Sequence, residues 1–247
     1  MTEKIHTIPI HDAYAQSATC PLCSLEQTLT EDLLADCLGP SLMEPDVRIV
    51  TNERGFCKSH WQDLYNSRAN RLGLGLILHT HLCDLADDLR QSAPRPVTAA
   101  AKGLFASKPK DPRDKLIEYA AHIERRTASC AICVRLEQTM AHYVDVICHE
   151  YAHDPAFRAR FDASQGHCLP HFARLLRGAA QHLNPEQASE FVRSLTRQQQ
   201  ASLDTLRDDV DWFTQKFDYR NAKADWKNSK DALPRAIRKI AGQTELQ

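Results

Sequence analysis

Glycine is scarce in this chain, eight among 247 residues, and runs of β-branched residues are equally hard to find. Both shortages count against a sheet, whose strands favour Val, Ile and Thr, and for an all-α fold. Long apolar stretches are lacking as well. The most apolar run, LGLGLIL at 72–78, is far too short to span a bilayer. The opening residues, MTEKIHTIPIHDAYAQSATC, contain no apolar core of the kind a secretory signal carries. These two absences lead to the expectation of a cytoplasmic protein with no membrane partner. Charge of one sign is missing too: 31 Lys and Arg stand against 32 Asp and Glu, a formal net charge of −1. A general electrostatic attraction to nucleic acid is therefore not expected. Apolar content, at 43%, is ordinary for a soluble globular chain, and the length is enough to bury a core.

Cysteine is plentiful, at nine residues. In a reducing compartment these argue for metal ligands or buried thiols rather than disulfides. Four form the pairs Cys20-Pro-Leu-Cys23 and Cys130-Ala-Ile-Cys133, and two more open Cys57-Lys-Ser-His60 and Cys168-Leu-Pro-His171. Each C-x2-C is followed, after a spacer of 33 or 34 residues, by a C-x2-H. Three thiolates and one imidazole are the ligand set of a tetrahedral structural zinc site. On a first helical turn, ligands at i and i+3 share one face. The expectation is two zinc ions, one held by Cys20, Cys23, Cys57 and His60 and the other by Cys130, Cys133, Cys168 and His171. The alternative is an iron–sulfur protein with a redox or sensing role.

The resemblance between the two copies extends past the ligands. A shift of 111 residues carries Leu25-Glu26-Gln27-Thr28 onto Leu136-Glu137-Gln138-Thr139, and it carries Leu33 to Val144, Cys37 to Cys148 and Trp61 to Phe172. Matched apolar positions recur at helical spacing. The chain thus reads as an internal repeat of two pseudo-symmetric helical halves. The expected division is 1–93, a Pro-rich linker at 94–112, 113–217, and a basic and aromatic tail at 218–247.

Local signals give the expected elements. Ile8-Pro9-Ile10 reads as an extended entry, with Asp12 as a helix cap. A helix follows at about 24–38, stopped by Gly39-Pro40, then a loop at 43–54. One long helix is expected from 58 to about 90, its all-apolar middle buried on several sides, with Gly73 and Gly75 admitting a close neighbour. Helices are expected from about 113, from 136 to 153, and from 169 to 183. Asn184-Pro185 caps a last long helix, whose Leu203, Leu206, Val210, Phe213 and Phe217 form a seam. Pro234 opens a short basic helix in the tail.

Three further groups invite chemistry. His149-Glu-Tyr-Ala-His153 matches H-E-x-x-H, with Glu150 placed as a general base, so a zinc-dependent hydrolase is a second alternative. Asp154-Pro155 cuts that helix at once, and Glu186 or Glu190 reaches it only through folding. Cys37, Cys148 and Cys83 read as core thiols, since Cys37 lies 14 residues beyond Cys23, about 21 Å along a helix. A thioredoxin-like use of either C-x2-C lacks its βαβ context. The tail places Arg220, Lys223, Lys227, Lys230, Arg235, Arg238 and Lys239 beside Tyr219 and Trp226. This combination suits phosphate contact, and equally a solvated tail pinned by its aromatics.

The chain resembles a bacterial family of uncharacterised proteins. The marks are Cys20-Pro-Leu-Cys23, Pro45-Asp-Val-Arg48, TNERGFCKSH at 51–60, LGLGLILHTHL at 72–82, the second C-x2-C and C-x2-H, and FTQKFDYRN at 213–221. The match covers nearly the whole chain, and His167 stands where the first copy has Phe56. Some members carry the label transporter substrate-binding protein. The resemblance implies paired Cys/His motifs and brings no established activity. The function expected is a metal-binding helical protein whose surface engages a protein or small-molecule partner.

Overall fold

The computed structural model describes residues 6–16, 19–94 and 111–244. Within them the chain is all-α: eleven α-helices, two short 3-10 turns and no strands. The linker expected at 94–112 falls mostly outside the described residues. The helices are α1 (Thr7–Ala15), α2 (Pro21–Leu38), α3 (Pro45–Arg54), α4 (Lys58–Asn66), α5 (Arg71–Ser92), α6 (Pro112–Ala128), α7 (Ala131–His153), α8 (Pro155–Ala163), α9 (Leu169–His182), α10 (Pro185–Gln215) and α11 (Ala232–Ala241).

The helices form two compact units that interleave in sequence: Met1–Leu29 with Gln138–Gln247, and Thr30–Glu137. The division expected from the repeat, at 93 and 113, is not this one. Both boundaries fall inside helices, α2 and α7.

The core of the first unit is aromatic. Tyr14, Phe157, Phe161, Tyr151 and Phe191 meet in successive ring contacts of 4.8–5.5 Å, several of them edge-to-face. α10 packs against α9 and α11, and its buried apolar residues are Phe191, Leu195 and Leu206. The expected seam is only partly buried, since Leu203 and Phe217 face solvent. α9 approaches α7 so closely that a Cβ at Gly178 would stand 2.1 Å from Val144 Cγ1. The tail is anchored at the end of α10. Lys216 Nζ donates to the carbonyls of Asn221 and Ala224 at 2.6 and 2.5 Å, and lies 5.1 Å from the Trp226 ring. Most of the FTQKFDYRN string thus closes a helix end.

In the second unit α3 packs against α5. Arg48 donates to Thr80 Oγ1 (2.7 Å), Thr80 donates to Asn52 Oδ1 (2.6 Å), and His81 Nδ1 lies 2.7 Å from the Asn52 carbonyl. Two of the motifs that carried the resemblance, around Arg48 and around Thr80, are therefore one contact.

Six local expectations are corrected. Ile8-Pro9-Ile10 is helical, because proline in a first turn removes an N–H that has no intrahelical partner; Asp12 lies inside α1 and caps nothing. The expected loop at 43–54 is α3, opened by Pro45 at its first position with Asp46 in its first turn. The single helix expected from 58 to 90 is broken between α4 and α5. Arg68 adopts φ 55 there, and Asn70 caps α5 by accepting from Gly73 N–H at 2.8 Å. The middle of α5 is buried on one face only, through Leu74 and Ile77, while Leu72, Leu76 and Leu78 are exposed. Gly73 does meet a neighbour, Leu42, but nothing approaches Gly75.

Candidate metal centres

Each of the four Cys/His pairs begins a helix. Cys20 and Cys130 immediately precede α2 and α7, and Cys57 and Cys168 are the N-caps of α4 and α9. Cys23, Cys133, His60 and His171 follow three residues on, within the first turns. Helix N-termini carry unpaired N–H groups and the positive end of the dipole, which favour thiolate over thiol. Cys133 N–H points at Cys130 Sγ, 3.4 Å away.

Glycine sets the approach of both C-x2-H pairs. Gly55 and Gly166 stand two residues before Cys57 and Cys168 with φ of 58° and 81°, left-handed conformations that a side chain disfavours. At Gly55 a Cβ would also stand 2.6 Å from the His81 ring.

The eight ligands gather into two groups, but the partners are exchanged. Cys20 and Cys23 meet Cys168 and His171, whereas Cys57 and His60 meet Cys130 and Cys133. Each C-x2-C is completed by the C-x2-H of the other copy, so the expected sets Cys20, Cys23, Cys57, His60 and Cys130, Cys133, Cys168, His171 are both corrected. Helix length supplies the reason. The 18-residue α2 spans about 27 Å beyond Cys20, and the ten residues of α3 span only about 15 Å, less than a return would need. Each group lies wholly within one unit.

In the first centre Cys20 Sγ and Cys23 Sγ lie 3.8 and 3.5 Å from Cys168 Sγ. His171 Nδ1 lies 3.6, 3.4 and 3.1 Å from the sulfurs of Cys20, Cys23 and Cys168. In the second, Cys57 Sγ is 3.7 Å from Cys133 Sγ, and His60 Nδ1 is 3.3, 3.3 and 3.4 Å from Cys57, Cys130 and Cys133. A tetrahedron with Zn–S near 2.3 Å and Zn–N near 2.0 Å has edges of about 3.8 and about 3.5 Å. Both donor sets fit one ion each.

Protonation follows the same crowding. Burial pushes His171 down, but hydrogen bonding to Cys168 and Cys20 prevails and raises it to about 10. Bonding to Cys130 raises His60, against its burial. Burial lifts Cys130, yet bonding to His60 and nearby N–H groups lowers it overall to about 6, while burial and the Cys130 thiolate push Cys133 up to about 12. Each group holds shared protons that a bound cation would displace.

The two centres differ in surroundings. All four ligands of the first are buried, whereas in the second Cys133 is exposed and Cys57 half-buried. Two residues beside the first centre were invisible to spacing arguments. Glu26 Oε2 stands 3.4 Å from His171 Nε2, placed to fix the tautomer that leaves Nδ1 free for a metal. Lys239 of α11 is 1% exposed and shares with Cys20, Cys168 and Arg238 the wall of a cavity of about 230 Å³. Glu26 belongs to the duplicated LEQT string, a signal that could have singled it out; Lys239 has none.

The remaining candidates take other places. Cys37 and Cys148 are buried, and burial pushes their thiols up to about 11 and about 12, as inert core residues require. Cys83, expected in the core, is exposed on α5. His149 and His153 stack at 4.4 Å, and His153 Nδ1 lies 2.8 Å from the His149 carbonyl. Glu150 turns instead to His11, 3.2 Å away, and Glu190 pairs with Arg158. No group of potential ligands among the described residues includes His149 or His153. His11, Glu150 and Asp154 do cluster, but Arg160 donates to His11 Nδ1 at 2.8 Å, which leaves the ring proton on the nitrogen facing Glu150. Asp154 caps α8. That cluster is an ordinary hydrogen-bonded group.

A protein-family model described as a family of unknown function, DUF6062, matches residues 1–247. No curated protein and no solved structure matches.

Proposed function

We propose that this chain, which belongs to the DUF6062 family over its whole length, is a zinc-stapled helical scaffold holding one structural ion in each Cys3His group. The observation that carries this reading is the edge lengths. Sulfur–sulfur separations of 3.5–3.8 Å match ligands on a single tetrahedral ion. Thiolates of a polynuclear cluster sit on different irons and stand farther apart, so the spacing disfavours the iron–sulfur alternative. Four protein ligands fill a tetrahedron and leave no position for water or substrate, which favours a structural over a catalytic ion. The hydrolase alternative is disfavoured because Glu150 and the two helix-end histidines face different neighbours.

The chain begins two helical runs in the same order, α1–α5 and α6–α10, each with a ligand pair opening its second and fourth helices. This supports a duplication whose two copies exchanged knuckles. No described helix is long and apolar enough to cross a membrane, and a reducing cytoplasm would keep nine unpaired thiols available. The helical surface then serves to engage a partner.

Metal quantification on protein purified without oxygen tests the proposal. Two zinc ions per chain and no visible absorbance are expected; broad brown absorbance would replace zinc with iron–sulfur. Structural zinc sites contribute on the order of 10 kcal/mol to folding, so a strong chelator should markedly lower the melting temperature of the loaded protein. An unchanged melt after verified metal removal would overturn the structural role.

A further inference from the structure

The basic residues of the tail do not all face bulk solvent. In the first unit, α10, the turn after α8 and the tail at 227–235 enclose a cleft of about 780 Å³, within the size range of small-ligand sites. Arg197 of α10 and Lys227, Lys230 and Arg235 of the tail bring four cations to its wall, against three carboxylates, Asp162, Asp209 and Asp231. Asp209 and Asp231 are both taken by Arg235, at 3.0 Å each. Asp162 accepts a hydrogen bond from Ser194. Arg197 and Lys230 are left without an ion pair among the described residues, so the cleft favours an anion.

Two further observations point to a ligand and to its chemistry. Lys227 is held at φ 53, with its ammonium 4.5 Å from the centre of the Trp212 ring. Left-handed backbone is uncommon for a lysine, and such strain collects where ligands are clamped. Gln198 donates through Nε2 to the Phe161 carbonyl at 2.5 Å, yet its buried Oε1 accepts from nothing. A buried acceptor without a donor is destabilising, and a ligand hydroxyl would relieve it. No aromatic ring lines the cleft, and the apolar side chains in its lining are Ala201 and Leu206. A nucleobase would find no ring to stack on.

We propose that this cleft binds a small phosphorylated polyol, with the phosphate on Arg197, Lys227 and Lys230 and a hydroxyl donating to Gln198 Oε1. None of the eight Cys and His residues of the candidate metal centres lines the cleft, so metal content is verified first and held equal across the variants.

Titration calorimetry on the full metal-loaded chain tests it, with ribose 5-phosphate, inorganic phosphate and ribose as separate probes. Ribose 5-phosphate should bind at least about tenfold more tightly than inorganic phosphate, the equivalent of one satisfied buried hydrogen bond. Ribose should not bind. Arg197→Gln combined with Lys230→Gln, both at exposed positions, should weaken ribose 5-phosphate at least about tenfold while circular dichroism and melting stay unchanged. Gln198→Leu should erase the preference for the ester over inorganic phosphate and leave phosphate binding in place. The proposal is overturned if ribose 5-phosphate does not bind at millimolar concentration, if ester and inorganic phosphate bind alike, or if the double variant binds as the parent does.

Discussion

Lys239 is the residue whose burial most needs a cause. Its ammonium has one hydrogen bond, to the Gln165 carbonyl at 3.3 Å, and 1% exposure. Burial pushes it below its ordinary value, while the thiolates of Cys20 and Cys168 pull the other way. A zinc ion with three thiolates carries one net negative charge, which is costly to bury alone. With the proposed zinc bound, lysine and centre would be each other's counter-charge, and the more exposed second centre would have less need of one. Lys239→Met, close in shape, should therefore speed chelator removal of the first ion by roughly tenfold, the scale of outer-sphere effects on metal sites. The second ion should leave at the parent rate. Equal effects on both, or none, would deny Lys239 this role. The eight cysteines and histidines that gather into two groups were legible in the sequence because their chemistry is bound to a short spacing. Lys239 was not, since it lies 68 positions from the nearest of these residues, His171, and lysine by itself signals solvent.

At the scale of elements, legibility followed whether a residue type has one common use or two. Asn184-Pro185 announces a helix start, and the full capping box is present, Asn184 accepting from Gln187 N–H at 2.9 Å. Asn70 has no proline beside it and was passed over, although it caps α5 and donates to the Leu38 carbonyl at 2.9 Å. Asn70→Ala should cost about 1 kcal/mol for the cap, and more if Leu38 is left unpaired, measured as a shift in denaturant midpoint. Gly178, unremarkable in the sequence, marks the close crossing of α9 over α7. Gly178→Ala should destabilise by about 1–3 kcal/mol through overpacking against Val144, despite the better helix propensity of alanine. A gain in stability would mean that the two helices separate freely.

At the scale of the whole chain, the exchange of knuckles could not be read from spacing, because spacing favours the nearer partner. Closing Cys23 onto Cys168 spans 145 residues in place of 34. Loop closure grows only as the logarithm of length, so the longer loop costs about 1.3 kcal/mol more. That margin is small, and an 18-residue helix beyond Cys20 is stiff over about 27 Å. Thiol accessibility separates the two pairings. In zinc-loaded Cys168→Ser protein, brief alkylation followed by mass mapping should label Cys20 and Cys23, which have lost a partner, while Cys57, Cys130 and Cys133 keep the pattern of the parent. In Cys57→Ser protein, Cys130 and Cys133 should become reactive and Cys20, Cys23 and Cys168 should not. The uncrossed arrangement predicts the reverse: Cys168→Ser would expose Cys130 and Cys133, and Cys57→Ser would expose Cys20 and Cys23. Because each substitution leaves the other centre intact as an internal reference, global unfolding would be recognised by labelling of every cysteine, including buried Cys37 and Cys148.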